Sequence, residues 1–286
     1  MDPGVVAAVF AALLWGGFLF VKKWAFPGYS SAAFMTATFA VAAGWHLLAT
    51  AAVGVSGRVA LAPREWAFVA GTVVALAVGL HLLFYALGEG DVSYVAPISK
   101  TTPAFVVPLE VALLGERLGP LELGGAALAT LAVYVANYRG EGLVAPLRAA
   151  ATYGPARLAV ASAATLGALN VGQRVVLQGI GLAPRAWLVV KLGGAALLLA
   201  PVAARAPPPR ADLPRLVAAG ALLAAAEQFI VLAFAAVPAS VASPVVATQA
   251  VVAVVLGGVV LGERQFRVRL AAAGVAVLGV SLIALA

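Results

Sequence analysis

The chain has 286 residues, of which 64% are hydrophobic and only 10% are charged. A soluble domain usually carries about 25% charged residues, so this composition excludes an ordinary soluble protein, and it is far too apolar for a disordered one. Cysteine is absent and only two histidines occur, which excludes disulfides and most metal centres, so we expect neither a metal nor a cofactor. The composition indicates a protein that crosses a membrane several times.

Ten apolar runs are long enough to cross a bilayer, which takes about 20 residues in a helix. We therefore predict an all-α integral membrane protein with ten transmembrane helices. The runs of the first half are Val5–Val21, Ser31–Val53, Trp66–Leu87, Ser93–Leu114 and Leu121–Tyr138. Those of the second half are Pro155–Leu177, Ala186–Ala204, Leu216–Ala235, Ala239–Leu261 and Leu270–Leu285.

The segments around these runs are short and carry most of the charge. The first run follows no basic segment and no cleavage site, so we expect a retained helix and not a signal peptide. The net charge of +7 resides mainly in loops between the runs. This placement indicates contact with anionic lipid head groups, and we expect no binding of nucleic acid.

The two halves of the sequence repeat each other. The aligned pairs, 147 positions apart, are Ser93 and Ser240, Pro97 and Pro244, Thr101 and Thr248, and Leu114 and Leu261. A Gly-Glu-Arg triplet at 115–117 recurs at 262–264. We predict two five-helix repeats at 1–140 and 153–286, joined by a loop at 141–152. Because five is odd, the second repeat would be inverted, an organisation found in many secondary transporters.

Pro97 and Pro244 lie inside the fourth and ninth runs. A proline inside a helix removes one backbone hydrogen bond and is expected to open the turn before it. Paired interruptions of this kind point to a substrate site between the repeats. The alternative is a pair of kinks that serve packing alone.

This arrangement resembles the EamA-type family of the drug/metabolite transporter superfamily. The resemblance rests on the paired prolines, on Leu-Gly-Glu-Arg at the end of each fourth helix, and on Leu13–Phe18 with Lys22 in the first helix. It implies a ten-helix carrier of small metabolites in the cytoplasmic membrane, without naming the solute. We interpret the Gly-Glu-Arg triplets as helix ends and not as site residues.

Only four charged residues lie well inside the runs, namely Lys100, Glu110, Lys191 and Glu227. A charge at the centre of a spanning helix costs about 2.5–3.5 kcal/mol on insertion scales, so each requires a partner, water or a route to the surface. Glu110 and Lys191 lie roughly 8–9 Å from a helix end, where snorkelling or a pairing near the rim explains them. We expect Lys100 to face a cavity and contact the substrate, with a structural contact as the alternative.

Glu227 is the acidic residue that lies deepest in the predicted helices, and two roles are open to it. A pair with Lys191 would keep it ionised and make transport nearly insensitive to pH. Without a partner, burial favours its protonated form, and it would exchange a proton against substrate. We predict the second role for Glu227.

We predict a substrate site that lies at mid-membrane depth and is rich in polar and aromatic side chains. Its predicted members are Lys100, His81, Thr101, Gln249, Asn170, Trp15 and Tyr85. Secondary candidates are Lys191, Gln228 and Glu110. Because the deep lysines outnumber the deepest acid, the predicted substrate carries a carboxylate or a phosphate.

The leading functional hypothesis is a secondary carrier, an exporter of a small polar metabolite such as an amino acid or another organic anion. A lipid flippase of the same fold is the alternative, and an integral-membrane enzyme is a weaker one because the runs contain no catalytic constellation. No catalytic residues are predicted. No ATP-binding motif occurs, so a gradient would supply the energy. We expect a monomer or a homodimer in the lipid bilayer.

The orientation in the membrane is a point on which two arguments disagree. The family resemblance implies that both termini lie in the cytoplasm. The loops on that side would then carry five basic residues and those on the other side eleven, whereas the positive-inside rule favours the reverse. We expect cytoplasmic termini.

Overall fold

The computed structural model describes residues 2–89, 98–99, 101–136 and 152–261, with a few helical positions between 271 and 282. Pro97, Lys100 and most of the predicted loop at 141–152 lie outside these residues. The described residues form helices joined by short turns and contain no β-strand, which confirms the predicted all-α fold.

The helices follow one another in an order that matches the predicted runs. In the first half they are α1 (Pro3–Ala25), α2 (Ser31–Val53), α3 (Pro63–Glu89), α4 (Thr102–Leu114) and α5 (Pro120–Ala136). In the second half they are α6 (Gly154–Arg174), α7 (Pro184–Ala203), α8 (Leu213–Ala236), α9 (Ala239–Ala247) and α10 (Gln249–Leu261). A π-helical turn, Val175–Gly179, continues α6, and a 3-10 turn, Arg210–Asp212, precedes α8.

Seven helical segments of the described chain are long and apolar enough to cross a membrane. They comprise most of α1, α2, α3, α7 and α8, together with α6 plus its π-helical turn, and α9 plus α10. Helix α4 is apolar but has only 13 residues. The protein is therefore a multi-pass membrane protein, while the count of ten helices stays a prediction.

Local sequence signals explain where several helices begin and end. Asp2 and Ser30 precede α1 and α2, and their side-chain oxygens accept backbone N–H groups at 2.6 and 3.2 Å. These are N-caps that satisfy donors left free by the first helical turn. Gly115 ends α4 with a φ of 67°, a left-handed conformation that glycine adopts without strain. The predicted helix end at the first Gly-Glu-Arg triplet is thus present.

The break between α9 and α10 lies at Thr248. Its backbone N–H and its hydroxyl both donate to the carbonyl oxygen of Val245, at 3.1 and 2.6 Å. Thr101 makes the same two bonds to the carbonyl oxygen of Ile98, at 3.0 and 2.7 Å. The two threonines occupy the aligned positions of the sequence repeat.

This position of the break differs from the expectation based on proline. Helix α9 continues through Pro244, and the interruption comes four residues later instead of in the turn before the proline. The reason lies in the threonine, whose hydroxyl competes for a backbone carbonyl and offers the chain an alternative to the next helical turn.

Helices of the first half pack mainly against helices of the second half. The most extensive contacts pair α3 with α6, α1 with α8, and α2 with α7. Helix α4 also contacts α9 of the second half, whereas its counterpart at the repeat offset is α10. Large buried side chains, among them Phe18, Phe34, Trp187 and Phe234, fill the core between the halves. The interior of the bundle is therefore an interface between the two halves.

Gly16 allows α1 to approach α10 closely. A methyl group at Gly16 would lie 2.5 Å from the Cβ atom of Val252 and 2.8 Å from the backbone oxygen of Gln249. We expect Gly16→Ala to lower the free energy of unfolding by about 1–3 kcal/mol, as overpacking does. Thermal unfolding of the detergent-solubilised protein measures the loss.

The adjacent Gly17 provides the matched control. A Cβ atom at Gly17 would meet no heavy atom within 4 Å. Gly17→Ala should leave the unfolding temperature unchanged or raise it slightly, since alanine favours the helix. Equal losses in the two variants would contradict the close approach of α1 and α10.

Candidate functional site

A buried ion pair lies at the centre of the bundle. The Nζ atom of Lys191 on α7 is 2.5 Å from the Oε2 atom of Glu227 on α8. The residues are only 3% and 5% exposed. In such an environment the mutual attraction of the two charges offsets a large part of the cost of removing each from water. Of the two alternatives that the sequence left open for Glu227, the structure contains the ion pair with Lys191.

Three further side chains complete the polar contacts of this pair. The indole N–H of Trp15 on α1 donates to the Oε1 atom of Glu227 at 2.9 Å. The ammonium group of Lys191 donates to the Oε1 atom of Gln173 on α6 at 2.8 Å. The same oxygen accepts the indole N–H of Trp187 at 3.2 Å. Helices from both halves thus meet at one pair of charges.

A cavity of about 180 Å³ adjoins the ion pair. Its wall is apolar on one side, with aromatic and aliphatic side chains from α1, α2 and α3, and carries a cluster of polar side chains elsewhere. The polar members are Ser99, Thr102, Asn170, Gln173, Lys191, Glu227, Ser243 and Gln249. An apolar pocket with a few converging polar groups is the usual form of a small-molecule site.

Two amide side chains of the cavity differ in how they are satisfied. Asn170 donates from its Nδ2 atom to the hydroxyl of Ser243 at 2.9 Å. The Oε1 atom of Gln249 is buried and has no hydrogen-bond partner among the described residues. A buried polar atom without a partner is costly, so this oxygen is available to a donor on a bound molecule.

The sequence of the first half identifies the class of protein. Residues 2–138 match the EamA-like transporter family. The first half of the chain belongs to that family. The protein is accordingly a membrane transporter of the drug/metabolite superfamily. No curated protein sequence matches the chain significantly.

The fold has a counterpart among solved structures. The crystal structure of another protein superposes with a TM-score of 0.81 over 99% of this chain and 96% of that one. The two sequences are 17% identical, so the likeness establishes a shared fold and nothing about the solute. The bundle of this EamA-like chain is thus an established architecture along almost its whole length.

Five of the predicted site residues of the EamA-like protein line the cavity. They are Trp15, Asn170, Lys191, Glu227 and Gln249. These residues come from five different helices, α1, α6, α7, α8 and α10. The structure brings these five side chains to one cavity, and their contact with a substrate stays a prediction.

Other predicted members lie elsewhere. His81 is exposed on α3, and Tyr85 is 54% exposed in a groove beside Glu89. Gln228 is half-buried and outside the cavity wall, and Thr101 lines a separate groove between α4 and α5. These four residues do not line the central cavity, and a contact of any of them with substrate stays a prediction. Lys100 lies outside the described residues, so its role stays a prediction.

Gln173 and Ser243 are the functional candidates that the sequence reasoning missed. Gln173 follows Asn170 by three residues on α6, a spacing that puts both side chains on one face of the helix. Ser243 immediately precedes Pro244 in α9. The helical spacing from Asn170 could therefore have predicted Gln173. Nothing in the sequence of α9 indicates that Ser243 lines a cavity.

Glu110 is buried but does not line this cavity. It pairs with Arg174 on α6, and its two oxygens accept the backbone N–H groups of Ala239 and Ser240 at 2.6 Å each. Pairing near the rim was one of its two predicted explanations, and the structure contains that pairing. Glu116, taken from sequence as part of a helix end, also bonds Arg174, at 3.0 Å.

The ion pair makes a prediction about stability. Lys191→Met leaves the Glu227 carboxylate buried without its cation, and we expect a loss of about 3 kcal/mol in the free energy of unfolding. The double variant Lys191→Met/Glu227→Met should recover most of that loss, because no buried charge remains. Thermal unfolding of the four proteins of this double-mutant cycle measures the coupling.

The exposed pair of Arg58 and Glu65 is the control for this cycle. Their side chains are 45% and 19% exposed, with an N–O distance of 2.6 Å. The same cycle on this pair should give a coupling below about 1 kcal/mol. Similar couplings in the two cycles would show that burial adds nothing to the Lys191–Glu227 pair.

Proposed function

We propose that the protein is a secondary carrier that moves a small polar solute across the cytoplasmic membrane by alternating access. Two inverted five-helix repeats, with both termini in the cytoplasm, would rock about the central cavity. The matching hydrogen bonds of Thr101 and Thr248, which occupy aligned positions of the sequence repeat, support this organisation. So does the reciprocal packing of α3 with α6 and of α1 with α8.

The observation that carries the substrate proposal is the ion pair at the cavity wall. Lys191 and Glu227 together contribute one positive and one negative charge to the same cavity. A solute with one carboxylate and one ammonium group matches this pair, because each of its charges finds an opposite charge in the protein. The proposed substrate is a zwitterion such as an amino acid, which replaces the anion suggested by the count of deep lysines.

The pair also bears on the energy source. The Glu227 carboxylate is already engaged by the ammonium group of Lys191 and by the indole N–H of Trp15. We therefore propose a carrier driven by the gradient of its own solute, which works as an exporter when the solute is more concentrated inside. Proton coupling through Glu227 is the competing hypothesis.

A lipid flippase is the second candidate, and one feature favours it. A groove of about 560 Å³ lies between α4 and α5, with almost wholly apolar side chains along it. Such a groove fits an acyl chain better than a polar solute. It contains none of the charged residues of the central cavity, so we retain the solute carrier as the main proposal. Proteins of this family are transporters, and we propose no enzymatic activity.

Exchange in proteoliposomes tests the substrate proposal. Vesicles loaded with unlabelled amino acids should take up a mixture of radiolabelled α-amino acids, and Lys191→Gln should raise the half-saturation concentration about tenfold or more, because a hydrogen bond to a charged group is lost. The half-buried Lys22, which does not line the cavity, supplies the control variant Lys22→Gln. Lipid scrambling without amino-acid uptake would support the flippase instead.

The pH dependence of transport separates the two coupling hypotheses. Between about pH 6 and 8 we expect the exchange rate to change by less than about twofold, because Glu227 is held in its ion pair with Lys191 and does not serve as a proton carrier in this proposal. An imposed pH gradient should not drive accumulation, and Glu227→Gln should impair exchange and net uptake alike. Proton coupling would be supported by a variant that keeps exchange but loses accumulation driven by the pH gradient.

A further inference from the structure

A second buried charge network lies next to the proposed transport cavity. The carboxylate of Glu110, near the end of α4, is fully buried. It pairs with Arg174 and accepts both backbone N–H groups at the start of α9, from Ala239 and Ser240. An anion at a helix N-terminus is stabilised by the free N–H groups and by the helix dipole. Glu110 thus joins α4 of the first half to α6 and α9 of the second.

Arg174 extends this network to a fourth helix. Its guanidinium group also bonds Glu116 and donates to the side-chain oxygen of Gln178 at 3.1 Å. Gln178 in turn donates to the carbonyl oxygens of Phe234 and Val237, at 2.9 and 3.2 Å. The ends of α4, α6 and α8 and the start of α9 are therefore held together by side-chain hydrogen bonds.

The network lies at the end of the bundle where α1 begins, which we call the N-terminal end. Gly4 on the first turn of α1 packs there against Val237, which follows α8. Arg174 directly follows the cavity residue Gln173, and Ser240 precedes the cavity residue Ser243 by three residues. The network is thus within about 5 Å of the cavity wall along the helix axes, between the cavity and the N-terminal end.

The sequence repeat makes this network asymmetric. At the offset of 147 positions, Glu110 aligns with Gly257, which has no side chain to pair. Two identical inverted halves would give the open states at the two ends equal energy. Because Gly257 cannot reproduce the contacts of Glu110, these contacts add stability to the state in which the N-terminal end is closed.

We propose that Glu110, Arg174 and the start of α9 form a gate that closes the N-terminal end of the transport pathway. This inference rests on the proposed alternating access and identifies the contact that must break when the cavity opens toward that end. Gly115, in the left-handed conformation, separates Glu110 from Glu116. A change of backbone angles at Gly115 allows Glu116 to remain on Arg174 while α4 and Glu110 move away, which limits the cost of opening.

The absence of cysteine from the chain makes the gate directly testable. Ala247→Cys introduces a thiol at the cavity wall, on the last turn of α9. In proteoliposomes, a membrane-impermeant maleimide added outside reaches this thiol from the N-terminal end only in molecules that expose that end. A separate Ser56→Cys protein, with its thiol in the exposed turn after α2, counts those molecules.

Glu110→Gln in the Ala247→Cys background should raise the labelling rate from the N-terminal end by about tenfold or more, since two charge-assisted hydrogen bonds and an ion pair are weakened. Arg174→Gln breaks the same contact from α6 and should act in the same direction. If one of the two variants fails to fold, the labelling rate of the other still tests the gate. The labelling needs no substrate, so its result is independent of whether amino-acid uptake is observed.

The matched control removes a charge at the same end without touching the network. Glu65→Gln breaks the pair with Arg58, which is largely exposed and joins the loop before α3 to α3 itself. We expect an unchanged labelling rate. The gate is overturned if the folded Glu110 and Arg174 variants label at the wild-type rate, or if Glu65→Gln accelerates labelling as much as they do.

Discussion

The structure depends on the cost of placing charge inside a membrane. Lys191 and Glu227 lie on adjacent helices at the centre of the bundle, and both side chains are buried. Each is tolerated because the other neutralises it and because Trp15 and Gln173 supply further hydrogen bonds. These contacts fix the relative positions of α1, α6, α7 and α8. Small residues such as Gly16 then allow the helices to approach each other closely.

Depth along a helix was the part of the site that the sequence predicted well. Each residue adds about 1.5 Å, so the run boundaries place Glu227 near the middle of its helix and Lys191 roughly 8–9 Å from a helix end. The sequence did not predict which side of a helix faces the interior of the bundle. His81 has a suitable depth on α3 but lies on its exposed side. Buried Val73 and exposed Val74 are chemically alike, so the composition of α3 does not show which side faces the bundle.

The polar contacts of Glu110 are a second feature that could not be predicted from the sequence. Its partner Arg174 lies 64 positions away in sequence and on the opposite half, and its other partners are backbone N–H groups at the start of α9. No residue type at Ala239 or Ser240 signals that role, because every residue but proline supplies an N–H group. The pairing becomes predictable only when the arrangement of α4, α6 and α9 is known.

The two charge networks differ in a way that suits different tasks. The Glu227 carboxylate adjoins a cavity, and one of its oxygens has only the ammonium group of Lys191 as a partner in the described structure. A bound solute can therefore exchange with that partner without breaking backbone contacts. The carboxylate of Glu110 has no exposed surface, and both of its oxygens accept backbone N–H groups. Because those donors belong to the start of α9, Glu110 cannot leave them unless α4 and α9 separate. Ligand exchange at the first network and helix movement at the second are the two events that the proposed alternating access requires.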